Sequence, residues 1–242
     1  MEDIVPVLSD DNLRLSQTVL ECRATSHKVT SMPSQPANDL MTRLLPSRRP
    51  ALSILVLPGG TDFSYRPFSP LQASALRMYP FTWALRARFG SRVRVAQARY
   101  RVYGWNGQQA SPMWHARAAL DALAADNPGG PIVVVGHSMG GRIAAQLGSD
   151  RRVIGVVALA PWWQFADWRQ IHGGAKVLAL HGSSDTTTYA HRTRKGIAEL
   201  AARGVDATYV EVAGGGHAML DHIGLWQSAP IRFVKDLLRQ VH

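Results

Sequence analysis

The sequence predicts an α/β domain built on a mostly parallel central sheet with helices on both faces and little or no cap domain. Three observations lead there. From residue 51 onward, short runs of aliphatic and β-branched residues alternate with longer helical stretches, the pattern left by parallel strands that must be joined by crossovers. The central run Ile132-Val133-Val134-Val135 is apolar without alternation, as a strand covered on both faces should be. The 242 residues, 46% of them hydrophobic and 18% charged, supply one sizeable core and demand no second.

In chain order, residues 1–50 scatter Ser, Pro and Asn between two short apolar runs near Val5 and Val19. They read as an N-terminal arm, partly ordered or packed on the core, with Pro46 to Pro50 marking the boundary to a domain over 51–242. Leu52 to Leu57 is the first clear strand, stopped by Pro58, Gly59 and Gly60. Leu71 to Phe89 reads as a helix broken at Pro80, and Arg92 to Ala98 as a strand. After a loop holding Tyr100, Tyr103, Trp105 and Asn106, Ser111 as N-cap and Pro112 in the first turn open a helix running to Asp126. Pro131 to Val135 is a strand and a helix begins beside Ser138. Val153 to Leu159, Lys176 to His181 and Ala207 to Val212 are further strands, with helices near Tyr189 to Arg203 and Ile223 to Val241.

Composition narrows the function classes. No apolar run reaches the roughly 18 residues that a membrane-spanning helix needs, so no membrane span is expected. Glu2 and Asp3 stand where a secretory signal carries basic residues, which points to a cytoplasmic location. Cys22 is the single cysteine; it reads as a passive thiol, with no internal disulfide and no cysteine metal framework. The excess of 27 basic over 17 acidic residues, +10 in all, is mostly arginine spread from Arg14 to Arg239. Without a dense basic block interleaved with aromatics it does not mark a nucleic-acid surface.

Three separated motifs carry the chemistry. Gly136-His137-Ser138-Met139-Gly140 lies between an apolar strand and a helix. Small residues at 136 and 140 permit a turn sharp enough to lift the Ser138 hydroxyl above the sheet edge, with the Met139 amide free at the helix N-terminus to meet an oxyanion. Leu178 to Asp185 is a strand followed by His181-Gly182-Ser183-Ser184-Asp185, where an aspartate could fix a histidine tautomer or, alternatively, cap the following helix. Val210 to Leu220 sets His217 on a loop made pliant by Gly214, Gly215 and Gly216. His137, His181 and His191 are assigned to packing or to the surface.

The run Gly-His-Ser-Met-Gly-Gly at 136–141 resembles the nucleophile elbow of the α/β-hydrolase superfamily, and the likeness extends over about residues 51 to 242. In that family acid and base follow the nucleophile in the order Ser, Asp, His. The resemblance therefore implies an α/β-hydrolase fold with Ser138 as nucleophile, Asp185 as acid and His217 as base, Asp167 being the reserve acid one strand earlier. By likeness to the superfamily's turn after the first strand, Val56 to Thr61 supplies a second oxyanion donor beside Met139. This is Gly60, with Thr61 next because Pro58 replaces the family's usual histidine.

Residues 160–175 are too few for a multi-helix cap. The compact result resembles dienelactone-hydrolase-like enzymes and small carboxylesterases. Leu76 to Phe81 and Arg99 to Gly107 resemble uncharacterised hydrolases of actinobacteria and are expected to line the entrance. Trp162, Trp163 and Thr61 are the candidate substrate contacts, the two tryptophans as walls of an acyl pocket or else as core packing. The implied activity is hydrolysis of a small-molecule carboxylic ester through an acyl-enzyme, with no cofactor and no metal. A thioesterase whose basic surface docks an anionic carrier, or a non-catalytic ligand-binding relative, are the alternatives; an aspartate-nucleophile dehalogenase is disfavoured by Ser138. Oligomeric state is left open.

Overall fold

A computed structural model describes residues 41–43 and 50–241. Most of the expected N-terminal arm, with Cys22, lies outside them. Seven strands form one sheet in the order β1-β3-β2-β4-β5-β6-β7: β1 (Met41–Arg43), β2 (Leu52–Leu57), β3 (Val93–Ala98), β4 (Ile132–His137), β5 (Val153–Leu159), β6 (Lys176–Gly182) and β7 (Ala207–Val212). The six from β2 onward run parallel, and β1 pairs antiparallel with β3, Met41 opposite Ala98. The six parallel strands coincide with the six expected ones to within a residue or two. The edge strand β1, inside the segment read as an arm, has no counterpart in that reading.

The period of two along each strand divides the interior into two cores. Leu55, Leu57, Val134 and Ala158 face a cluster completed by Leu120 and Leu123 of α3 (Pro112–Asp126), Ile143 of α4 (Met139–Leu147) and Leu200 of α5 (Ala190–Ala202). Ile54, Val56, Val133, Val135 and Leu180 face the other, with Leu85 of α2 (Tyr79–Phe89) and Trp226, Val234 and Leu237 of α6 (Ile223–Gln240). Every residue of β2 and β4 is buried, which is why their sequences do not alternate.

Two local expectations change. Pro80 does not break a helix but opens one: a short α1 (Ala73–Leu76) ends before it, and Pro80 sits in the first turn of α2, where its missing N–H costs no bond. Ser111 makes no side-chain cap; its hydroxyl accepts from the Asn106 Nδ2 at 3.1 Å instead. Asn106, itself left-handed at φ 64°, also takes the Ser64 amide at 2.8 Å. In this way it fastens the loop after β3 to the loop after β2.

Residues 160–175, between β5 and β6, contain one 3-10 turn, Asp167–Gln170, and no inserted domain. The carboxyl ends of β2, β4, β5 and β6 are therefore not covered by a cap at this connection, and that edge is where side chains of chemical interest gather.

Candidate active site

The turn from β4 into α4 is built by steric exclusion. A methyl on Gly136 would overlap the Gly140 carbonyl, and one on Gly140 would overlap the Leu57 carbonyl of β2. With both positions small, the chain reverses within a few residues and holds Ser138 at φ 56°, ψ −119°. Such a conformation costs about 1–3 kcal/mol for a residue with a Cβ, and the surrounding bonds hold it. The Ser138 amide donates to the Leu159 carbonyl at 3.0 Å, while its carbonyl accepts from the Gly141, Arg142 and Trp162 amides.

The Ser138 hydroxyl is 3.0 Å from His217 Nε2. His217 Nδ1 is 2.8 Å from Asp185 Oδ2. Three residues spread over 80 positions of the chain thus make one hydrogen-bonded series above the ends of β4, β6 and β7. His217 reaches it on the loop after β7, where Gly214 takes φ 71°. That loop is anchored by the Gly214 amide to Ser183 Oγ at 2.9 Å and by the Ser184 amide to the Gly215 carbonyl at 3.1 Å.

Asp185 is buried. Burial pushes its carboxyl up, but hydrogen bonds from His181 and His217, the charge of His217 and the Thr187 amide outweigh this and hold it well below the usual carboxylate range. Its Oδ1 accepts the Thr187 and Thr188 amides at 2.7 and 3.1 Å. Asp185 thus closes the series and does not cap α5, whose N-cap is Tyr189 with no side-chain bond. The reserve acid Asp167 is committed elsewhere. It takes Arg142 Nε at 2.8 Å and Gln146 Nε2 at 3.1 Å, buried together with that arginine.

Two histidines assigned to packing touch the series directly. His137, 1% exposed, approaches the His217 carbonyl through Nε2 at 2.9 Å. Burial, then the neighbouring His217, pushes its pKa down to about 3, so its ring is neutral and Nε2 is the donor. His181 is fully buried and lies 3.0 Å from the same Asp185 oxygen that meets His217. Nothing in the one-dimensional pattern marks these roles, although each stands at the end of a strand within four residues of a motif residue. His191 is exposed.

The turn after β2 lies against the elbow. A Cβ on Gly59 would stand 3.4 Å from Ser138 Cβ, and one on Gly60 would overlap the Met139 thioether and the Tyr103 carbonyl. Tyr100, in a run expected at the entrance, is buried instead and donates its hydroxyl to the Pro58 carbonyl at 3.1 Å, which fastens the turn. The Thr61 amide is spent on the Tyr103 carbonyl at 3.3 Å, and the Thr61 carbonyl accepts from the Trp105 amide. Thr61 is thereby removed as a reserve oxyanion donor, though it stays half-buried beside the elbow.

The two tryptophans separate. Trp162 is half-buried, its amide bonded to the Ser138 carbonyl and its ring set edge-on to Trp105 at 6.3 Å. Trp163 is 1% exposed, donates its indole N–H to the Gly141 carbonyl at 3.1 Å and packs on Trp168. The expectation that Trp163 walls a substrate pocket is therefore corrected: adjacent residues point to opposite sides, and Trp163 belongs to the core. Of the runs expected at the entrance, Met78 and Phe81 are likewise core residues. Among the described residues no three His, Cys, Asp or Glu side chains come together as a metal-binding set.

Comparison with known proteins agrees with this architecture. No curated protein matches the sequence. Solved structures that resemble it include an α/β serine hydrolase homologue from Coxiella burnetii (TM-score 0.61, 13% identity, covering 79% of this chain and 88% of that one). Est1E from Butyrivibrio proteoclasticus, described with ferulic acid bound, gives TM-score 0.60 at 12% identity over 83% and 97%. An α/β serine hydrolase without a lid from Xanthomonas campestris gives TM-score 0.61 at 15% identity over 81% and 87%. At such identities these likenesses speak for the fold alone. The model of an alpha/beta hydrolase family matches residues 92–228, more than half of the 242, and the chain belongs to that family.

Proposed function

We propose that this protein is a serine hydrolase that cleaves small carboxylic esters through an acyl-enzyme, acting in the cytoplasm. The observation that carries the reading is the unbroken series from Ser138 Oγ to His217 Nε2 and from His217 Nδ1 to Asp185 Oδ2, at 3.0 and 2.8 Å. An ionised Asp185 accepts the Nδ1 hydrogen and leaves Nε2 free to take the serine proton as the hydroxyl attacks an ester carbonyl. The negative charge that develops on the carbonyl oxygen meets the Met139 amide at the start of α4 and the Gly60 amide across the elbow. His217 then returns the proton to the leaving alcohol. A water activated by the same nitrogen releases the acid and restores Ser138. Trp162 and the half-buried Thr61 flank the acyl group in this reading.

The test is hydrolysis of p-nitrophenyl esters together with fluorophosphonate labelling. Ser138→Ala is expected to abolish both, and persistence of both would remove Ser138 from its role. Running acyl-CoA beside oxygen esters of the same chain length separates an esterase from a thioesterase, since preference for the thioester reassigns the substrate while keeping the same three residues.

A further inference from the structure

The Asp185 carboxylate serves more than one imidazole. Its Oδ2 is 2.8 Å from His217 Nδ1, 3.0 Å from His181 Nε2 and 2.9 Å from the Thr188 hydroxyl. His181 is closed off from solvent, and its other nitrogen, Nδ1, lies 2.7 Å from the hydroxyl of Thr193, which is also fully buried. A neutral imidazole has one N–H and one bare nitrogen. An ionised carboxylate can only accept, so the hydrogen of His181 resides on Nε2 and Nδ1 accepts from Thr193. Thr193 on α5, His181 on β6 and Asp185 after β6 therefore form a second series that converges on the same oxygen as the series from Ser138.

We propose that His181, oriented by Thr193, is a positioning residue that sets the basicity of His217 by sharing the Asp185 Oδ2. The inference rests on the reading of Ser138, His217 and Asp185 given above. A carboxylate raises the proton affinity of the histidine it faces in proportion to the charge left on the oxygen it presents. A second strong donor on that oxygen disperses the charge, so His217 loses its proton at lower pH than it would beside an unshared carboxylate. The same bond, with the amides of Thr187 and Thr188 on Oδ1, prevents the carboxylate from rotating away when His217 becomes charged. Acceptance from Thr193 polarises the His181 ring and strengthens its Nε2–H as a donor.

Of the other groups around His217, the Thr188 hydroxyl also donates to Oδ2, at 2.9 Å, and it is unchanged in every variant compared below. Ser138 and the neutral His137 face it from the end of β4, and Thr188 faces it from the loop before α5 with its hydroxyl 3.2 Å from Nδ1. Arg77, at the turn between α1 and α2, acts on His137 by its charge. Asp221, on the loop of His217 itself, is bonded to the Gly216 amide at 3.3 Å.

The experiment is the pH profile of kcat/KM on p-nitrophenyl acetate for the wild type, His181→Phe, His181→Gln and Thr193→Val, beside Ser138→Ala. For His181→Phe the acid limb is expected to rise by about half a pH unit to one unit, and kcat to fall roughly tenfold from a looser carboxylate with KM unchanged. His181→Gln restores an N–H near Oδ2 and should return the limb toward wild type. Thr193→Val, nearly isosteric, should move the limb in the same direction by less, and it carries the test if His181→Phe does not fold. A limb that stays in place in folded His181→Phe or, failing that, in Thr193→Val, with Ser138→Ala inactive, overturns the role of His181 and leaves the triad standing. Activity retained in Ser138→Ala overturns the triad itself.

Discussion

Two buried aspartates follow consecutive strands of the sheet, Asp167 after β5 and Asp185 after β6, and they differ in what answers their charge. Asp167 faces a guanidinium: Arg142 lies against it at 2.8 Å, with its cationic carbon 3.9 Å from the centroid of Trp105 and 4.9 Å from that of Trp162. Asp185 faces two imidazoles. A guanidinium stays charged at every working pH, so the first pair is closed and static. An imidazole can gain and lose a proton near neutrality, so the second arrangement can pass charge to a neighbour. Residue type and burial are alike in the two places; the partner decides which carboxylate is placed for the proposed chemistry.

The largest test of this contrast is Asp185→Asn. The amide cannot enforce the tautomer of His217 that the proposed mechanism requires, and kcat is expected to fall by about 10⁴-fold, as loss of the equivalent hydrogen bond costs in serine proteases. The folded state should remain, by circular dichroism. Asp167→Ala should do the reverse. An unpaired arginine left buried among Trp105, Trp162 and Phe165 costs about 3–5 kcal/mol of stability in urea titration, while kcat per folded molecule stays near that of the wild type. The paired replacement Arg142→Met with Asp167→Leu should recover most of that loss, because well-packed apolar residues commonly replace a buried ion pair without penalty. Recovery of activity by Asp185→Asn at high pH, or loss of turnover in folded Asp167→Ala, would erase the distinction between the two sites.

Acid should destabilise the fold through His137. His137 has its pKa pushed down from 6.5 to about 3 in the fold. The unfolded chain therefore binds one more proton between those values, and stability declines as pH falls through that window. The expected slope is about 1.4 kcal/mol per pH unit below 6.5, read as a falling Tm, with a shallower slope in His137→Gln. The smallest effect belongs to Ser111→Ala. With no cap bond to lose, it should cost less than the roughly 1 kcal/mol of a true N-cap, and a larger loss would mean that the bond from Asn106 does more than tie two loops.

The parallel strands were legible because burial on both faces removes polar residues from them; β4 reads Ile-Val-Val-Val for that reason. Strand β1 was not, since three residues paired antiparallel at an edge are too short to show a period. At the site, Ser138 stands in a motif whose small flanking residues reflect local steric demands, whereas Asp185 and His217 were singled out by the order Ser, Asp, His that the family resemblance implies. His181 and His137 act through partners 4 and 80 residues away, and a histidine at a strand end looks the same whether it meets a carboxylate or a methyl group. Trp162 and Trp163 were inseparable in sequence because neighbouring rings differ only in which side of the chain they occupy. Asp167 needed Arg142 to be seen.

The backbone at residue 138 also limits which side chains could stand there. At φ 56°, ψ −119° an unbranched side chain is tolerated at a cost, but a β-branched one becomes a severe outlier. Cysteine or aspartate could inherit the position by a single replacement and open thiol or carboxylate chemistry. Threonine, chemically the nearest to serine, is the replacement that the geometry forbids, so descent from this scaffold toward new reactions runs through changes of element and not of branching.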